Sequence, residues 1–164
     1  MWFGIRGFKA AVRKHFYTVR TLTDVRRLHI AIAEDNPLDL GALTGVLNQF
    51  SLDYRLTVAV DGEEARDFIL KQGRYLDFPP ADVIFLDMNM PKLTGLEVLR
   101  QIPDSAELPV CLLTSSVRER QSVEQLFAPK KACYLTKPID QKGLLDCFRS
   151  HDRLRHVAEL LVKH

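Results

Sequence analysis

Glu34, Asp35, Asp87, Thr114 and Lys137 are the side chains whose types and placement could together do chemistry. Glu34 and Asp35 follow the apolar run Leu28 to Ala33, and Asp87 closes the run Asp82 to Asp87. Thr114, Ser115 and Ser116 follow a further apolar run, and Lys137 and Pro138 follow the last. If those run ends converge, three carboxylates crowd together, and anions that close raise one another's pKa unless a cation intervenes. One lysine balances only one of them. A hard divalent cation completes the set, because carboxylates, waters and a backbone carbonyl are what Mg²⁺ accepts. A carboxylate, a metal, a hydroxyl and an ammonium group suit phosphoryl transfer: Asp87 as nucleophile, Mg²⁺ and Lys137 neutralising phosphoryl oxygens, Thr114 donating a hydrogen bond. Taken singly, an Asp at a strand end commonly caps a helix or lies in a solvated loop. Asn36 and Asp39 can serve the first helix, however, which leaves Glu34 and Asp35 for another task.

The elements that must position these groups alternate along the chain. Strands are predicted at 28–33, 54–60, 82–87, 109–113 and 132–136, and helices at 37–50, 63–71, 95–101, 117–127 and from Gln141 past Ser150. Five β-like runs alternating with helical patterns predict an α/β fold with a parallel sheet, and such sheets gather function at the carboxyl ends of their strands. The helix starts are punctuated: Asn36 precedes Pro37, and Asp61 with Glu64, Thr94 with Glu97, and Ser116 with Glu119 have capping-box spacing. Residues 72–81 and 100–109, with their prolines, read as longer connections.

With 164 residues, 46% hydrophobic and 27% charged, the chain has the size and mix of one globular domain. Its formal charge of +2 hides an asymmetry, since residues 1–27 hold seven Lys/Arg against Asp24 alone. Within 1–22, Ile5, Phe8, Val12, Phe16 and Val19 form one stripe and Arg6, Lys9, Arg13 and Arg20 the opposite side. This basic amphipathic helix suits a membrane surface, a docking partner or packing on its own domain. Cys111, Cys133 and Cys147 are odd in number and far apart, without metal or disulfide spacing, and read as small buried residues in a reducing, cytoplasmic setting. No apolar run is long enough to span a membrane, and no secretory signal is present. His151 and His156, five apart, lie off one face and do not read as metal ligands. The last helical segment carries surplus apolar residues, among them Leu154, Val157, Leu160 and Leu161, which suggests a homodimer contact.

Four segments carry a family resemblance: Ile30-Ala-Ile-Ala-Glu-Asp-Asn-Pro37, Val83-Ile-Phe-Leu-Asp-Met-Asn-Met-Pro-Lys-Leu-Thr-Gly95, Leu112-Leu-Thr-Ser-Ser116 and Tyr134-Leu-Thr-Lys-Pro138. In order and spacing they resemble the receiver domain of two-component response regulators over about residues 28–150. The extended form further resembles single-domain regulators that partner phytochrome-type sensor kinases. The resemblance implies a flavodoxin-like (βα)5 fold of strand order 2-1-3-4-5, preceded here by the basic extension 1–27 and followed by 151–164 as an extension of the last helix. It implies that Asp87 accepts a phosphoryl group from a kinase phosphohistidine. Asp35, Asp87 and the Asn89 backbone carbonyl would bind Mg²⁺ directly, and Glu34 through a water. Thr114 and Tyr134 would be the switch pair, Lys137 would contact the phosphoryl oxygens, and the Lys137–Pro138 bond would be cis. Phosphorylation would pull Thr114 toward the new oxygens, free space beside it for Tyr134 to turn inward and reshape the face of the fourth helix, fifth strand and fifth helix. Asn89 and Ser116 would tune the phosphoryl lifetime.

Other functions fit less well. An aspartyl-phosphate hydrolase of the haloacid dehalogenase type wants a second Asp two residues after the nucleophile, where this chain has Asn89. A nucleotide- or flavin-binding module would need a Gly-rich phosphate loop where Glu34-Asp35-Asn36-Pro37 stands. The few residues after the fifth helix leave no room for a DNA-binding module. The expectation is therefore a cytoplasmic signalling phosphoacceptor rather than an enzyme, acting through a downstream protein target or as a phosphorelay intermediate, without nucleic acid.

Overall fold

β1 (Leu28–Ala33) is buried at every position, because both faces of the strand are covered. The computed structural model describes residues 27–50, 52–103, 109–126 and 132–162. The helix expected over residues 1–22 lies outside them. In chain order β1 is followed by α1 (Pro37–Asn48), β2 (Tyr54–Ala59), α2 (Gly62–Ile69), a 3-10 turn at Gly73–Tyr75, β3 (Val83–Asp87), α3 (Gly95–Gln101), β4 (Val110–Thr114), α4 (Val117–Leu126), β5 (Ala132–Thr136), α5 (Gln141–Ser150) and α6 (Arg155–Val162). The five strands are parallel in the order β2-β1-β3-β4-β5, the expected doubly wound arrangement.

Side chains alternate across the strands and divide the core into two layers. On one face Ile30, Ile32, Phe85 and Leu135 pack with Leu47 of α1, Leu144 and Phe148 of α5 and Leu154 beyond it. On the other, Ala31, Ile84, Leu112 and Tyr134 pack with Phe68 of α2, Val98 of α3 and Val123 of α4. β3 and β4 are buried throughout like β1, whereas β2 at the sheet edge is only partly covered.

The caps form largely as their spacing predicts. Asn36 accepts a hydrogen bond from the Leu38 N–H, Asp61 from Glu64 and Asp140 from Gly143, while Thr94 and Glu97 make a reciprocal box. Ser116 accepts from the Glu119 N–H, but the Glu119 carboxylate turns to the Ser115 N–H and to Asn89.

Two expectations are corrected. The chain from His151 to Val162 does not extend the last helix: His151 leaves the helical conformation with φ −110° and ψ 120°, and α6 begins four residues later. Leu154, Val157 and Leu161 then fold back into the core, so most of the apolar surplus that suggested a dimer is covered by the chain itself. The cysteines are not isolated either. Cys133 and Cys147 form a disulfide with Cα atoms 5.8 Å apart, and Cys111 Sγ lies 3.5 Å from Cys147 Sγ. Spacing hid this because it depends on register, Cys111 pairing with Cys133 across β4 and β5, and on α5 packing over both. The link also removes the support that unpaired cysteines lent to a reducing environment.

Candidate functional site

The carboxyl ends of β1, β3, β4 and β5 bring the expected groups together. Carboxylate oxygens of Glu34, Asp35 and Asp87 all lie within 4.8 Å of one another. Asp87, the last residue of β3, is 2% exposed and Glu34 equally buried, while Asp35 faces solvent. The loops around them are tightly built. A Cβ on Gly95 would collide with the Asp87 carbonyl, and one on Gly62 with the Leu93 carbonyl, so both positions require glycine. Lys92, in the left-handed region at φ 67°, ties the loop after β3 to the start of α2 through Asp61 at 2.8 Å and Glu63 at 3.3 Å.

Lys137 is the electrostatic centre. Its Nζ stands 2.7 Å from Glu34, 2.8 Å from Asp39 and 2.9 Å from Asp87. Burial works against the ammonium charge, but hydrogen bonds to Asp39 and Glu34 and the charge of Asp87 overcome it and hold the Lys137 pKa well up. Burial raises the Asp87 carboxyl; Lys137 and the Asn89 N–H oppose it, and the neighbouring Asp35 charge adds to it. Glu34 is likewise raised by burial against Lys137 and the Asn36 N–H. One ammonium therefore leaves this cluster short of positive charge. The Asp87 Oδ2 accepts the Asn89 N–H at 3.0 Å, whereas the buried Oδ1 has no hydrogen-bond donor aligned on it and only the Lys137 ion pair beside it. Three clustered carboxylates with such an oxygen are the donor set of a hard divalent cation.

The flanking groups reach away from this centre. Thr114 is fully buried, its hydroxyl 3.3 Å from the Leu135 carbonyl and 3.3 Å from the Thr136 hydroxyl. Tyr134 is already covered in this structure at 8% exposure, its hydroxyl unpartnered and the Arg120 guanidinium 5.8 Å from its ring. An inward turn from an exposed position is thus not available to it here. The Lys137–Pro138 bond is cis, as expected. The Asn89 amide donates to Glu119 at 2.9 Å and sits 3.3 Å from the Ser115 hydroxyl, joining the loop after β3 to the first turn of α4.

Two residues escaped the sequence reading. Asp39 was assigned to its own helix, yet it points from the first turn of α1 at Lys137; a carboxylate two residues past a helix-opening proline beside an acidic strand end was the available signal. Glu119 looked like a capping residue and turns out to connect α4 to Asn89.

A doubly wound sheet with a carboxylate cluster and a lysine at its carboxyl edge suits a receiver module of phosphorylation-based signalling better than a nucleotide-binding one. Residues 30–149 match the family model of the response regulator receiver domain, and the chain belongs to that family. It is 36% identical over 118 residues to the response regulator Rcp1 of Synechocystis sp., covering 70% of this chain and 80% of Rcp1. Among solved structures, the bacteriophytochrome response regulator AtBRR superposes with TM-score 0.68 at 32% identity, covering 76% of this chain and 91% of AtBRR. The Mn²⁺-bound form of Rcp1 superposes with TM-score 0.59 at 30% identity over 84% of this chain and 96% of that one. The protein is a response regulator of two-component signalling, and receiver domains bind a divalent metal. Among the described residues no helix is long and apolar enough to cross a membrane.

Proposed function

We propose that Asp87 is the phosphoacceptor, receiving its phosphoryl group from a phosphohistidine of a sensor kinase, and that the similarity to Rcp1 and AtBRR supports a phytochrome-type kinase as donor. The observation that carries this reading is the Lys137 ammonium held among Glu34, Asp39 and Asp87 at the end of β3. The Asp87 carboxylate attacks phosphorus as the bond to the histidine nitrogen breaks, while the Asn89 N–H at Oδ2 orients it. Lys137 follows the transferred charge from carboxylate to phosphoryl oxygen. Asp35, Asp87 and the Asn89 carbonyl would hold Mg²⁺, with Glu34 acting through a water; when bound, the ion neutralises phosphoryl oxygens. The chain's own chemistry is then limited to self-phosphorylation and autodephosphorylation.

Output passes to a downstream protein or phosphotransfer partner through the face of α4, β5 and α5. Phosphorylation draws the Thr114 hydroxyl away from Leu135 and Thr136, and the space released lets Tyr134 shift within its covered position. Glu119 carries the change at Asn89 into α4. Such a module works in the cytoplasm beside the kinase's catalytic domain. Leu160 at 40% and Val162 at 57% exposure are what α6 leaves for a homodimer contact, and the basic residues 1–22 would supply any membrane contact. The direct test is labelling with acetyl phosphate and Mg²⁺. Wild type takes up one phosphoryl group per chain and Asp87→Asn takes up none; labelling of Asp87→Asn at the wild-type level contradicts the assignment.

A further inference from the structure

We propose that the Cys133–Cys147 bond is a reducible cross-link, opened and closed by low-molecular-weight thiols and their disulfides, whose state sets how far α5 can move on β5. The bond joins the edge strand to the helix that covers it. Both cysteines line a groove of about 640 Å³ that runs between α4, β5 and α5, with Arg120, Glu124 and Asp146 on its walls. That groove is the side from which a dissolved thiol would reach the sulfurs, Cys133 and Cys147 being largely covered at 5% and 7% exposure. Cys111 cannot take part in the same way. It is fully buried and does not line the groove, and burial pushes its thiol pKa far up, so it stays protonated and a poor nucleophile although it is 3.5 Å from Cys147.

The exchange balances with a monothiol as reductant. A thiolate from solution attacks one sulfur of the bond; the other leaves as a cysteine thiolate and takes a proton. A second thiolate then attacks the mixed disulfide, releasing the small-molecule disulfide and freeing the second cysteine, which is protonated in turn. In the cytoplasmic setting proposed above, a disulfide is usually transient and redox-sensing. This one has its ends on two of the three elements of the proposed output face, and Cys133 directly precedes Tyr134. While the bond is closed, β5 and α5 are held together and the face can rearrange only around that point; opened, α5 gains independent movement. This second half rests on the reading of α4, β5 and α5 as the output face, whereas the first half does not.

Two measurements on the full chain separate them. Blocking and mass counting of thiols after equilibration with reduced and oxidised glutathione should show a pair at Cys133 and Cys147 that opens in reduced buffer without unfolding, Cys111 staying unmodified throughout. Three free thiols at every ratio, or a pair that opens only on unfolding, would overturn the cross-link as a reducible device. Hydrogen exchange over residues 132–150, with and without beryllofluoride and Mg²⁺, should respond more in the reduced protein and in Cys133→Ser than in the oxidised protein. Equal responses overturn the restraint on the face. No response in any form contradicts the output-face reading and this half of the proposal with it, and the thiol count still decides the cross-link.

Discussion

Among the described residues, two three-residue clusters have ligand atoms within 4.8 Å of one another: Glu34, Asp35 and Asp87 at the carboxyl edge, and Cys111, Cys133 and Cys147 within the core. The carboxylates oppose one another. Burial disfavours the charge on Asp87 and Glu34, and the fold restrains them with one lysine instead of removing them. The cysteines are at ease where they are, packed among apolar side chains, and two of them are covalently joined. On the readings proposed above, the first cluster is unfavourable to the fold and useful to chemistry, and the second is favourable to the fold and placed to restrain what the first sets in motion. Proximity alone does not make a site, because the cost of holding the groups together is what distinguishes the two.

Lys137→Ala should separate the clusters most sharply. It leaves two buried carboxylates without their cation, and breaking a buried ion pair from one side costs about 3–5 kcal/mol. Denaturant unfolding without metal should show that loss, and added Mg²⁺ should recover part of it. An unchanged midpoint would mean that the carboxylates are solvated well enough to need no partner.

Reduction of the disulfide comes next. Cys133 and Cys147 are 14 residues apart, and closing a loop of that length is worth about 3 kcal/mol in the chain-entropy account. Thermal unfolding with and without dithiothreitol should show it in wild type and not in Cys133→Ser. Identical melting of reduced and oxidised wild type would make the link energetically idle.

Proton linkage gives a smaller effect with a definite sign. The Asp87 carboxyl is raised in the folded state, so the native protein binds that proton more tightly than the unfolded chain. Its contribution to stability therefore rises as pH falls through the raised value toward the ordinary carboxylate range, and falls as pH rises. Wild type without metal should gain stability relative to Asp87→Asn on going from neutral to mildly acid pH, and Mg²⁺ should erase the difference by favouring the charged carboxylate. Parallel profiles for the two proteins would show that burial does not strain Asp87. Asp39→Asn is the mildest change. Asp39 is partly exposed and its pairing with Lys137 screened, so a stability loss of about 1 kcal/mol or less is expected. Slower phosphorylation of that variant at unchanged Mg²⁺ affinity would show that Asp39 positions the ammonium; an unchanged rate would leave it a simple surface partner.

The two clusters also differ in how far the sequence reveals them. Asp87 ends a strand and Asp35 and Lys137 closely follow one in a regular alternation of strand and helix, so a parallel sheet is enough to bring them together. The capping residues Asn36, Asp61 and Thr94 mark where the next helices begin, and those helices start where they should. The cysteines meet through the register of β4 on β5 and through the seating of α5, neither of which leaves a periodic trace. The break at His151 has no proline or glycine to announce it, and the apolar residues beyond it fit one long helix as well as two. Asp39 was hidden for a different reason: an acidic residue in a first helical turn already has an adequate local role, and only the direction of the side chain shows that it has a second one.

The measurement that tests the division of labour most directly is intact-mass analysis after acetyl phosphate and Mg²⁺, applied to wild type, Asp87→Asn and Cys133→Ser in parallel. The expected result is one added phosphoryl group in wild type and Cys133→Ser at similar rates, and none in Asp87→Asn. Labelling of Asp87→Asn, or its loss in a folded Cys133→Ser, would contradict the account.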